Sequence, residues 1–272
     1  MRIAAAQIVS SSDPSANLEL IRSWTASAAE AGARVVVFPE ATHCQFGHRL
    51  DTVAEPLDGP WAQEVRKIAL DAGLVVVVGM FTPATPGESG RARVANTALA
   101  VGPGVGVSYQ KIHLYDAFGF KESDTVAPGE HPAQFTFEGM SFGLGICYDV
   151  RFPQLFTHYG RAGTHVTLLP TSWGAGTGKV EQWQVLSTAR ALDSSQFVVA
   201  CDQADPAASE EPAPQGAPTG VGHSRIVSPF GVVLAEAGSR PELVVTELDP
   251  ELVAEARAKI PVLDNARDIP SS

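Results

Sequence analysis

The residue best placed for covalent chemistry in this sequence is a cysteine at a predicted strand-to-helix elbow. Cys147 ends an apolar run of strand length that begins at Ser141, and a segment with a helical pattern follows within a few residues. A side chain on such an elbow points outward at the end of a sheet, beside the exposed N–H groups of a helix start. A thiol there is placed for attack, because a helix N-terminus favours the thiolate and donates hydrogen bonds to an oxyanion. Gly143 and Gly145, which keep side chains off a tight turn, put this elbow on an equal footing with the competing interpretation of a buried structural cysteine, and residues elsewhere in the chain must decide between them.

Two ionisable residues, Glu40 and Lys111, each follow an apolar segment with the pattern of a strand. Glu40 comes directly after the predicted strand Arg34–Phe38 and Pro39, and Lys111 ends a predicted hairpin. Taken singly, each is typical of a solvated surface residue. In an open α/β sheet, however, reactive groups gather at the carboxyl ends of the strands. There the carboxylate can take the proton of a thiol, and the ammonium can stabilise negative charge on a carbonyl oxygen.

Three residues that follow Glu40, namely His43, Cys44 and His48, raise the question of a metal site. No second pair of ligands with the usual spacing is present, so we interpret them as hydrogen-bonded core or surface residues. The glycine cluster 102–106 joins two predicted strands, which indicates turn chemistry and not a nucleotide-binding loop. The sequence predicts neither a metal nor a cofactor.

Composition limits the class of protein and its partners. Hydrophobic residues make up 44% of the 272 residues, and 30 acidic against 19 basic residues give a net charge of −11. A mean hydropathy of +0.05 is typical of a globular protein with a sizeable core. The acidic balance argues against nucleic acid or an anionic membrane as partner, since both select for basic surfaces. It is compatible with a small-molecule substrate.

Cysteine usage and the N-terminus predict a cytoplasmic location. Cys44, Cys147 and Cys201 have no tight spacing, which suits a reducing compartment. The apolar stretch at the N-terminus is too short for a signal peptide, because polar residues follow it closely. No apolar run approaches the roughly 20 residues that span a bilayer.

The pattern along the chain predicts βα repeats in two halves, with hairpins between them. The helices are expected at 15–31, 60–72, 152–162, 179–195 and 250–259. The strands are expected at 2–9, 34–38, 74–80, 94–101, 105–110, 133–137, 141–146, 165–170, 196–201, 222–228, 231–236 and 242–248. No linker divides these elements, so we expect a single domain over 1–272 with a mobile surface loop at 203–220 and a polar tail at 264–272. Such a chain suits two sheets packed face to face with helices outside.

Three sequence blocks together resemble the signatures of a known family. These blocks are Phe38-Pro-Glu40, Tyr109-Gln-Lys111-Ile-His-Leu114 and Gly143-Leu-Gly-Ile-Cys147-Tyr-Asp-Val-Arg-Phe-Pro153. They resemble, in order and separation, the signature blocks of the nitrilase, or carbon–nitrogen hydrolase, superfamily, and the resemblance runs from residue 2 to about residue 263.

The resemblance implies a fold, a set of catalytic residues and an assembly. The fold would be an α/β four-layer α-β-β-α sandwich, and the catalytic triad would be Glu40, Lys111 and Cys147. A second glutamate, Glu122, would orient the lysine and line the site. Members of the family usually pair through helices that flank the nucleophile, so a homodimer is expected, here through the helix after Arg151 and the C-terminal region.

The residues after the nucleophile indicate an amidase branch. Cys147-Tyr-Asp149 is similar to amidases, whereas nitrilases typically carry Trp-Glu at these positions. The segments 111–122 and 222–231 are most similar to Nit-type amidases, which act on ω-amides of keto acids or on deaminated glutathione. The chain departs from many relatives in having Gln182-Trp-Gln184 where they have His-Trp-Glu, in a longer 203–220 segment and in lacking paired arginines within 262–267. A broad aliphatic amidase is therefore equally compatible, with Trp173 as a candidate pocket residue.

The resulting hypothesis is an amidase that forms a thioester. Glu40 would take the proton of Cys147, and Lys111 with the backbone N–H of Tyr148 would hold the oxyanion. Ammonia would leave, and a water activated by Glu40 would release the acid.

Four alternatives stay open from the sequence. Hydrolysis of nitriles or of N-carbamoyl compounds would use the same fold. A Cys-His-Asp hydrolase would need His223 as its base, and its elbow would carry glycine where Asp149 stands. A binding protein without turnover would keep the fold but would not need the three reactive side chains.

Overall fold

The computed structural model describes residues 1–87, 90, 92–117, 119–209, 214 and 216–267. Its helices are α1 (Pro14–Glu30), α2 (Pro60–Ala72), α3 (Pro153–Arg161), α4 (Lys179–Ser194), α5 (Glu251–Lys259) and α6 (Val262–Asn265). Its strands are β1 (Arg2–Gln7), β2 (Val35–Val37), β3 (Val75–Ala84), β4 (Arg93–Gly102), β5 (Val105–Gln110), β6 (Asp116–Ala117), β7 (Phe120–Lys121), β8 (Val126–Ala127), β9 (Gln134–Phe137), β10 (Met140–Leu144), β11 (Val166–Thr171), β12 (Phe197–Asp202), β13 (Arg225–Val227), β14 (Val233–Glu236) and β15 (Glu242–Glu247).

The strands form two large mixed sheets. The first has the order β15-β1-β2-β3-β4-β5, with β8 paired to β4, and the second has the order β14-β13-β12-β11-β10-β9. In each sheet the central strands are parallel: β1, β2 and β3 in the first, and β10, β11 and β12 in the second. The outer pairings are antiparallel, including the predicted hairpin of β4 and β5, except for the short parallel pairing of β8 with β4. The expected βα repeats with hairpins are confirmed.

The two sheets pack face to face, and helices cover their outer faces. In β2, Val35 and Val37 belong to the core shared with the second sheet, whereas Val36 belongs to the core beneath α1 and α2. Successive side chains of a strand point to opposite faces, so a strand that is apolar throughout is buried on both sides. Tyr159 of α3 and Trp183 of α4 are buried against the second sheet. The fold is the expected four-layer α-β-β-α sandwich.

Several element boundaries differ from the sequence-based prediction. The strand expected over 222–228 is confined to β13, because Gly222 and His223 have φ of 75° and 56°, outside the extended region. The predicted tail instead begins inside a short helix, α6, and 268–272 lie outside the described residues. Helix α1 begins as predicted, with the Asp13 carboxylate accepting the Ser15 N–H at 2.8 Å.

The segment 203–220, predicted to be a surface loop, is anchored at both ends. Gln203, Ala204 and Gly220 are buried, and Ala207–Ser209 form a short 3₁₀ helix. Positions 210–213 and 215 lie outside the described residues. Throughout the described ranges, no helix has the length and apolar character needed to cross a membrane.

Candidate active site

Cys147 lies on a strained elbow at the end of the second sheet. It follows β10 by two residues and begins a 3₁₀ helix, Cys147–Arg151, before α3 starts at Pro153. Its φ of 45° is in the left-handed region, which costs a non-glycine residue on the order of 1–3 kcal/mol. The Asp149 carboxylate holds this turn by accepting the Ile146 N–H at 2.8 Å. The predicted strand-to-helix elbow is confirmed, with a 3₁₀ turn between strand and helix.

Gly143 serves helix packing, and not the turn itself as the sequence suggested. A Cβ at this position would lie 2.7 Å from the ring of Tyr159 in α3. The Tyr159 hydroxyl donates to the Leu144 carbonyl at 2.7 Å, so the ring must lie flat against β10. The nearest atom to a Cβ at Gly145 would be Leu169 Cδ1 at 3.3 Å. Gly143 thus sets how closely α3 approaches the strand that carries the nucleophile.

Glu40 is buried at the seam between the two sheets. It follows β2, as predicted, and only 1% of its surface is exposed. Its Oε1 accepts hydrogen bonds from Lys111 Nζ and from Asn96 Nδ2, both at 2.8 Å. Its Oε2 accepts the backbone N–H of Ser172 at 2.9 Å, from the loop after β11 in the other sheet. Three donors therefore fix the carboxylate.

A close backbone crossing positions Glu40. The chain turns after it with Ala41 at φ 58°, and this turn lies across β3 at Gly79. A Cβ at Gly79 would lie 2.7 Å from both the Glu40 Cα and the Ala41 nitrogen. Only glycine allows this approach.

Lys111 bridges two buried carboxylates. Its Nζ lies 2.8 Å from Glu40 Oε1 and 3.0 Å from Glu122 Oε2, and all three residues are at most 2% exposed. Glu122 is held in turn by the Tyr115 N–H, which donates to Oε2 at 2.6 Å. Glu122 therefore lies where the family resemblance implied, against the lysine and in the site.

Sequence reasoning missed Asn96 in this cluster. Its Nδ2 donates to Glu40 Oε1 at 2.8 Å and to Glu122 Oε1 at 3.2 Å, and its main-chain carbonyl accepts the Lys111 N–H at 2.9 Å. The available signal was an amide within the largely apolar segment 94–101 that the sequence predicts as a strand. Buried polar side chains need partners, so such an amide marks a polar site on the neighbouring strands.

Burial and charge set the protonation states of the three groups. Burial raises the pKa of Glu40, Lys111 opposes this, and Glu122 adds to the rise. Burial also raises the pKa of the Cys147 thiol well above its ordinary value, and Glu40 raises it further. Burial alone would lower the pKa of Lys111, but Glu122 and Glu40 raise it well above its ordinary value. The resting site thus holds an ammonium and a thiol, so the expectation that the elbow favours a thiolate is wrong.

Two backbone groups lie close to the Cys147 sulfur, one an acceptor and one a donor. The thiol donates to the Ser172 carbonyl at 3.7 Å. The Tyr148 N–H, one residue after the sulfur-bearing residue, donates to no protein acceptor within the described part of the chain. A donor in that position can serve an oxyanion formed at the sulfur.

These groups open into a pocket with an aromatic wall. The lining residues are Glu40, Phe46, Lys111, Tyr115, Phe120, Glu122, Cys147, Tyr148, Arg151, Ser172, Trp173, Gly174, Lys179 and Pro218. Trp173, predicted to line the pocket, is 4% exposed, and its indole N–H donates to the Lys179 carbonyl at 2.9 Å. The Arg151 guanidinium lies 5.0 Å from the centre of the Trp173 ring.

Asp149 has a structural role beyond marking an amidase-type sequence. Its Oδ2 accepts from the Tyr109 hydroxyl at 2.8 Å and from Ile146, and its Oδ1 lies 2.7 Å from His113 Nδ1. Tyr109 and His113 flank Lys111 in sequence. One carboxylate thus joins the strand end that carries the lysine to the elbow that carries the cysteine.

The residues of the alternative interpretations lie elsewhere. His223 has its Nδ1 4.0 Å from Glu236, and no histidine of the described residues lines the Cys147 pocket. His43 packs on Trp61 at 4.4 Å between ring centres, while the Cys44 thiol lies 3.6 Å from the Ser12 carbonyl. The Cys-His-Asp hydrolase therefore lacks its base.

Comparison with known proteins agrees with this architecture. The family model for carbon–nitrogen hydrolases matches residues 2–258. A Mycobacterium tuberculosis hydrolase is 52% identical over 274 residues, which cover 98% of this chain and 96% of that one. The deaminated glutathione amidase of Escherichia coli O157:H7 is 34% identical over 275 residues, covering 99% and 98%. The structure of a Nesterenkonia amidase from the nitrilase superfamily superposes with a TM-score of 0.76 at 28% identity, covering 96% and 95%.

The chain belongs to the carbon–nitrogen hydrolase family, within the nitrilase superfamily. It is an enzyme of that family, and relatives across its whole length are named as amidases.

Proposed function

We propose that this protein hydrolyses linear amides to a carboxylic acid and ammonia, with Cys147 as nucleophile, Lys111 as oxyanion donor and Glu40 as base. The observation that carries the proposal is the convergence of the three side chains in one buried pocket. A variant of the similar Nesterenkonia amidase carries the product of Michael addition of acrylamide at its active-site cysteine. That supports a nucleophilic role for the cysteine of the same elbow here.

Acylation begins with transfer of the thiol proton to Glu40. A raised carboxylate pKa makes Glu40 a stronger base, which the buried thiol needs because its own pKa is raised. The sulfur then attacks the amide carbonyl carbon, and the carbonyl π electrons move to oxygen. Lys111 and the Tyr148 N–H stabilise the oxyanion.

The tetrahedral intermediate collapses with cleavage of the C–N bond. Glu40 returns its proton to the nitrogen, ammonia leaves, and the acyl group remains on Cys147 as a thioester. Water then gives a proton to Glu40 and attacks the thioester carbonyl. The second intermediate expels the sulfur, which takes the proton back, and the acid departs.

The pocket favours a substrate whose acyl chain ends in an anionic group such as a carboxylate. Arg151 lines the pocket and donates to the neutral Gln182 amide at 2.7 Å, and it forms no ion pair within the described residues. Lys179 lines the same wall, and its pKa is lowered by burial and then by Arg151. Two cations side by side in a pocket stabilise an anion that reaches both. Among the open alternatives, this supports substrates with a terminal carboxylate, such as ω-amides, over neutral aliphatic amides and simple nitriles.

An ammonia-release panel tests both proposals. The panel pairs glutaramate with butyramide, and it adds an N-carbamoyl amino acid and butyronitrile. We expect the highest kcat/KM for glutaramate, and we expect Arg151→Gln to reduce the preference for glutaramate over butyramide by at least about tenfold. Arg161→Gln, at an exposed position in α3, is the matched control. Absence of ammonia release from every amide would refute the proposed amidase activity. Equal kcat/KM for glutaramate and butyramide would refute only the proposed preference for a terminal carboxylate.

We also propose that the protein is a homodimer that pairs through the outer face of α4. Val185 and Leu192 on this face are 66% and 44% exposed, and Val232 beside them is 57% exposed. Gly231 lies against Leu192, so the helix and the turn before β14 form one apolar surface. Twofold dimers commonly bury an exposed apolar face of this kind.

A further inference from the structure

A buried carboxylate outside the triad holds two loops of the pocket. Asp202 ends β12 and is fully buried. Its Oδ1 accepts the Trp173 N–H at 2.7 Å, and its Oδ2 accepts the Val221 N–H at 3.0 Å. The two donors belong to the loop that follows β11 and to the end of the 203–220 segment. One side chain therefore clamps the main chain of both.

The first of these loops contacts the base and the nucleophile together. The Ser172 N–H donates to Glu40 Oε2 at 2.9 Å, and the Ser172 carbonyl accepts the Cys147 thiol at 3.7 Å. Ser172 precedes the clamped Trp173 directly. Any displacement of the Trp173 nitrogen thus moves both contacts of Ser172.

The second loop braces the first. The Gly220 N–H donates to the Trp173 carbonyl at 3.0 Å, and the Ser172 hydroxyl donates to the Pro218 carbonyl at 2.7 Å. These bonds tie the loops to each other, and Asp202 ties both to the end of the sheet.

Burying an ionisable side chain to accept two N–H groups costs desolvation free energy. Burial raises the pKa of Asp202 to about 8, and the described residues provide it with no ion pair. The two oxygens of a carboxyl group, charged or neutral, can each accept a hydrogen bond, whereas the asparagine amide has only one acceptor oxygen for the two donors. The cost of burial indicates a role in which the geometry of both loops matters.

We propose that Asp202 is a positioning residue that fixes Ser172 against Glu40 and Cys147 by clamping the loops on either side of the pocket. The proposal rests on the proposed function, since its consequence is the alignment of base and nucleophile. Asp202 is fully buried and does not line the pocket.

The test compares Asp202→Asn and Asp202→Ala with a matched control. Ser224→Ala removes a fully buried hydroxyl that accepts the Asp202 N–H at 2.9 Å and donates to the Asp202 carbonyl at 3.3 Å. We expect kcat for glutaramate to fall about 10- to 100-fold in Asp202→Ala with KM within about threefold, since small misplacement of reacting groups costs this much. Asp202→Asn keeps one acceptor, so its kcat should lie between those of the wild type and Asp202→Ala. Ser224→Ala should stay within about threefold of wild type in kcat.

A second readout needs no substrate. The rate of Cys147 alkylation by iodoacetamide, followed by mass spectrometry of the labelled peptide, reports on the alignment of Glu40 with the thiol. We expect it to fall about tenfold in both Asp202 variants and not in Ser224→Ala. A wild type that is alkylated but releases no ammonia would refute the proposed function while leaving the alkylation comparison valid.

The outcomes that overturn the proposal are distinct. Unchanged kcat and alkylation rates in folded Asp202 variants would show that the clamp does not position the reactive groups. If kcat falls equally in the Asp202 and Ser224 variants and the melting temperatures also fall, the whole loss of kcat would be a consequence of lower stability. Failure of both Asp202 variants to fold would likewise assign the role of Asp202 to stability and overturn the positioning role.

Discussion

At the scale of single residues, Lys111 has two roles. It forms ion pairs with two buried carboxylates, and it is the proposed donor to the oxyanion. Lys111→Ala should lower kcat/KM by at least about 10²–10³, the usual loss for one oxyanion donor. Ammonia release measures this loss. Lys121→Ala removes an exposed lysine beside Glu122 and should leave activity within about twofold of wild type. A Lys111→Ala enzyme with wild-type turnover would contradict the assigned role.

The same substitution should make stability depend on pH. Without Lys111, Glu40 and Glu122 face each other unpaired, and breaking a buried pair costs about 3–5 kcal/mol. Lys111 lowers the pKa of Glu40, so its loss raises the folded-state pKa of Glu40 further, and stability is retained at low pH and lost as pH rises through that value. Urea unfolding at pH 5 and pH 8 should therefore show the larger deficit at pH 8. An equal deficit at both pH values would contradict this account.

Asn96 tunes the acid limb of the rate profile. Protonated Glu40 cannot accept the thiol proton, so activity should be lost as the pH falls through the pKa of Glu40. Because this pKa is raised, the loss should begin above 4.5, the ordinary pKa of glutamate. The hydrogen bond from Asn96 lowers this pKa, opposing the effects of burial and of Glu122. Asn96→Ala should move the acid limb of kcat/KM to higher pH. Thr97→Ala, at the neighbouring buried position, is the control and should leave the limb in place.

At the scale of elements, α4 holds the nucleophile elbow from outside. Arg190 donates to the Val150 carbonyl at 2.8 Å, and Gln182 accepts from Arg151 at 2.7 Å. Trp183, between them on the buried face, donates to the His223 carbonyl at 2.9 Å. The 3₁₀ turn of Cys147 is therefore fixed by its neighbours as much as by its own hydrogen bonds.

Gly143 tests how closely α3 must approach this elbow. A Cβ 2.7 Å from the Tyr159 ring must push the helix or the strand away, and overpacking of this kind costs about 1–3 kcal/mol. Gly143→Ala should lower the midpoint of urea unfolding and reduce kcat, because the strand leads directly to Cys147. Gly145→Ala, with its nearest contact at 3.3 Å, should have the smaller effect. The reverse order would contradict the role of Gly143 in helix packing.

At the scale of the whole molecule, the site exists only where the two sheets meet. Glu40 and Lys111 come from the first sheet, whereas Cys147 and Ser172 come from the second. The apolar core between the sheets therefore sets the distances in the site, and loss of that packing should abolish activity together with the fold.

The proposed dimer is a prediction at this same scale. Val185→Glu combined with Leu192→Glu places two charges on the outer face of α4 and should convert the dimer into a monomer. Leu70→Glu, at a position of α2 that is 51% exposed on the opposite layer, is the matched control. Sedimentation velocity measures the outcome. A wild type that sediments as a monomer would refute the dimer itself.

The sequence by itself determined the layers and the reactive side chains. Periodicity and apolar runs predicted the βα repeats, and the position of Glu40, Lys111 and Cys147 at strand ends predicted that they meet. Local patterns suffice there because parallel strands bring their carboxyl ends to one edge.

Only the tertiary structure decided how the site is held and charged. The Ser172 N–H reaches Glu40 across 132 positions of sequence, and Asn96 and Asp202 act through partners that no local pattern connects. The protonation of Cys147 depends on burial between two sheets, which reversed the thiolate expected from its elbow alone. Distance and desolvation are properties of the packed molecule, and they determine what these residues can do.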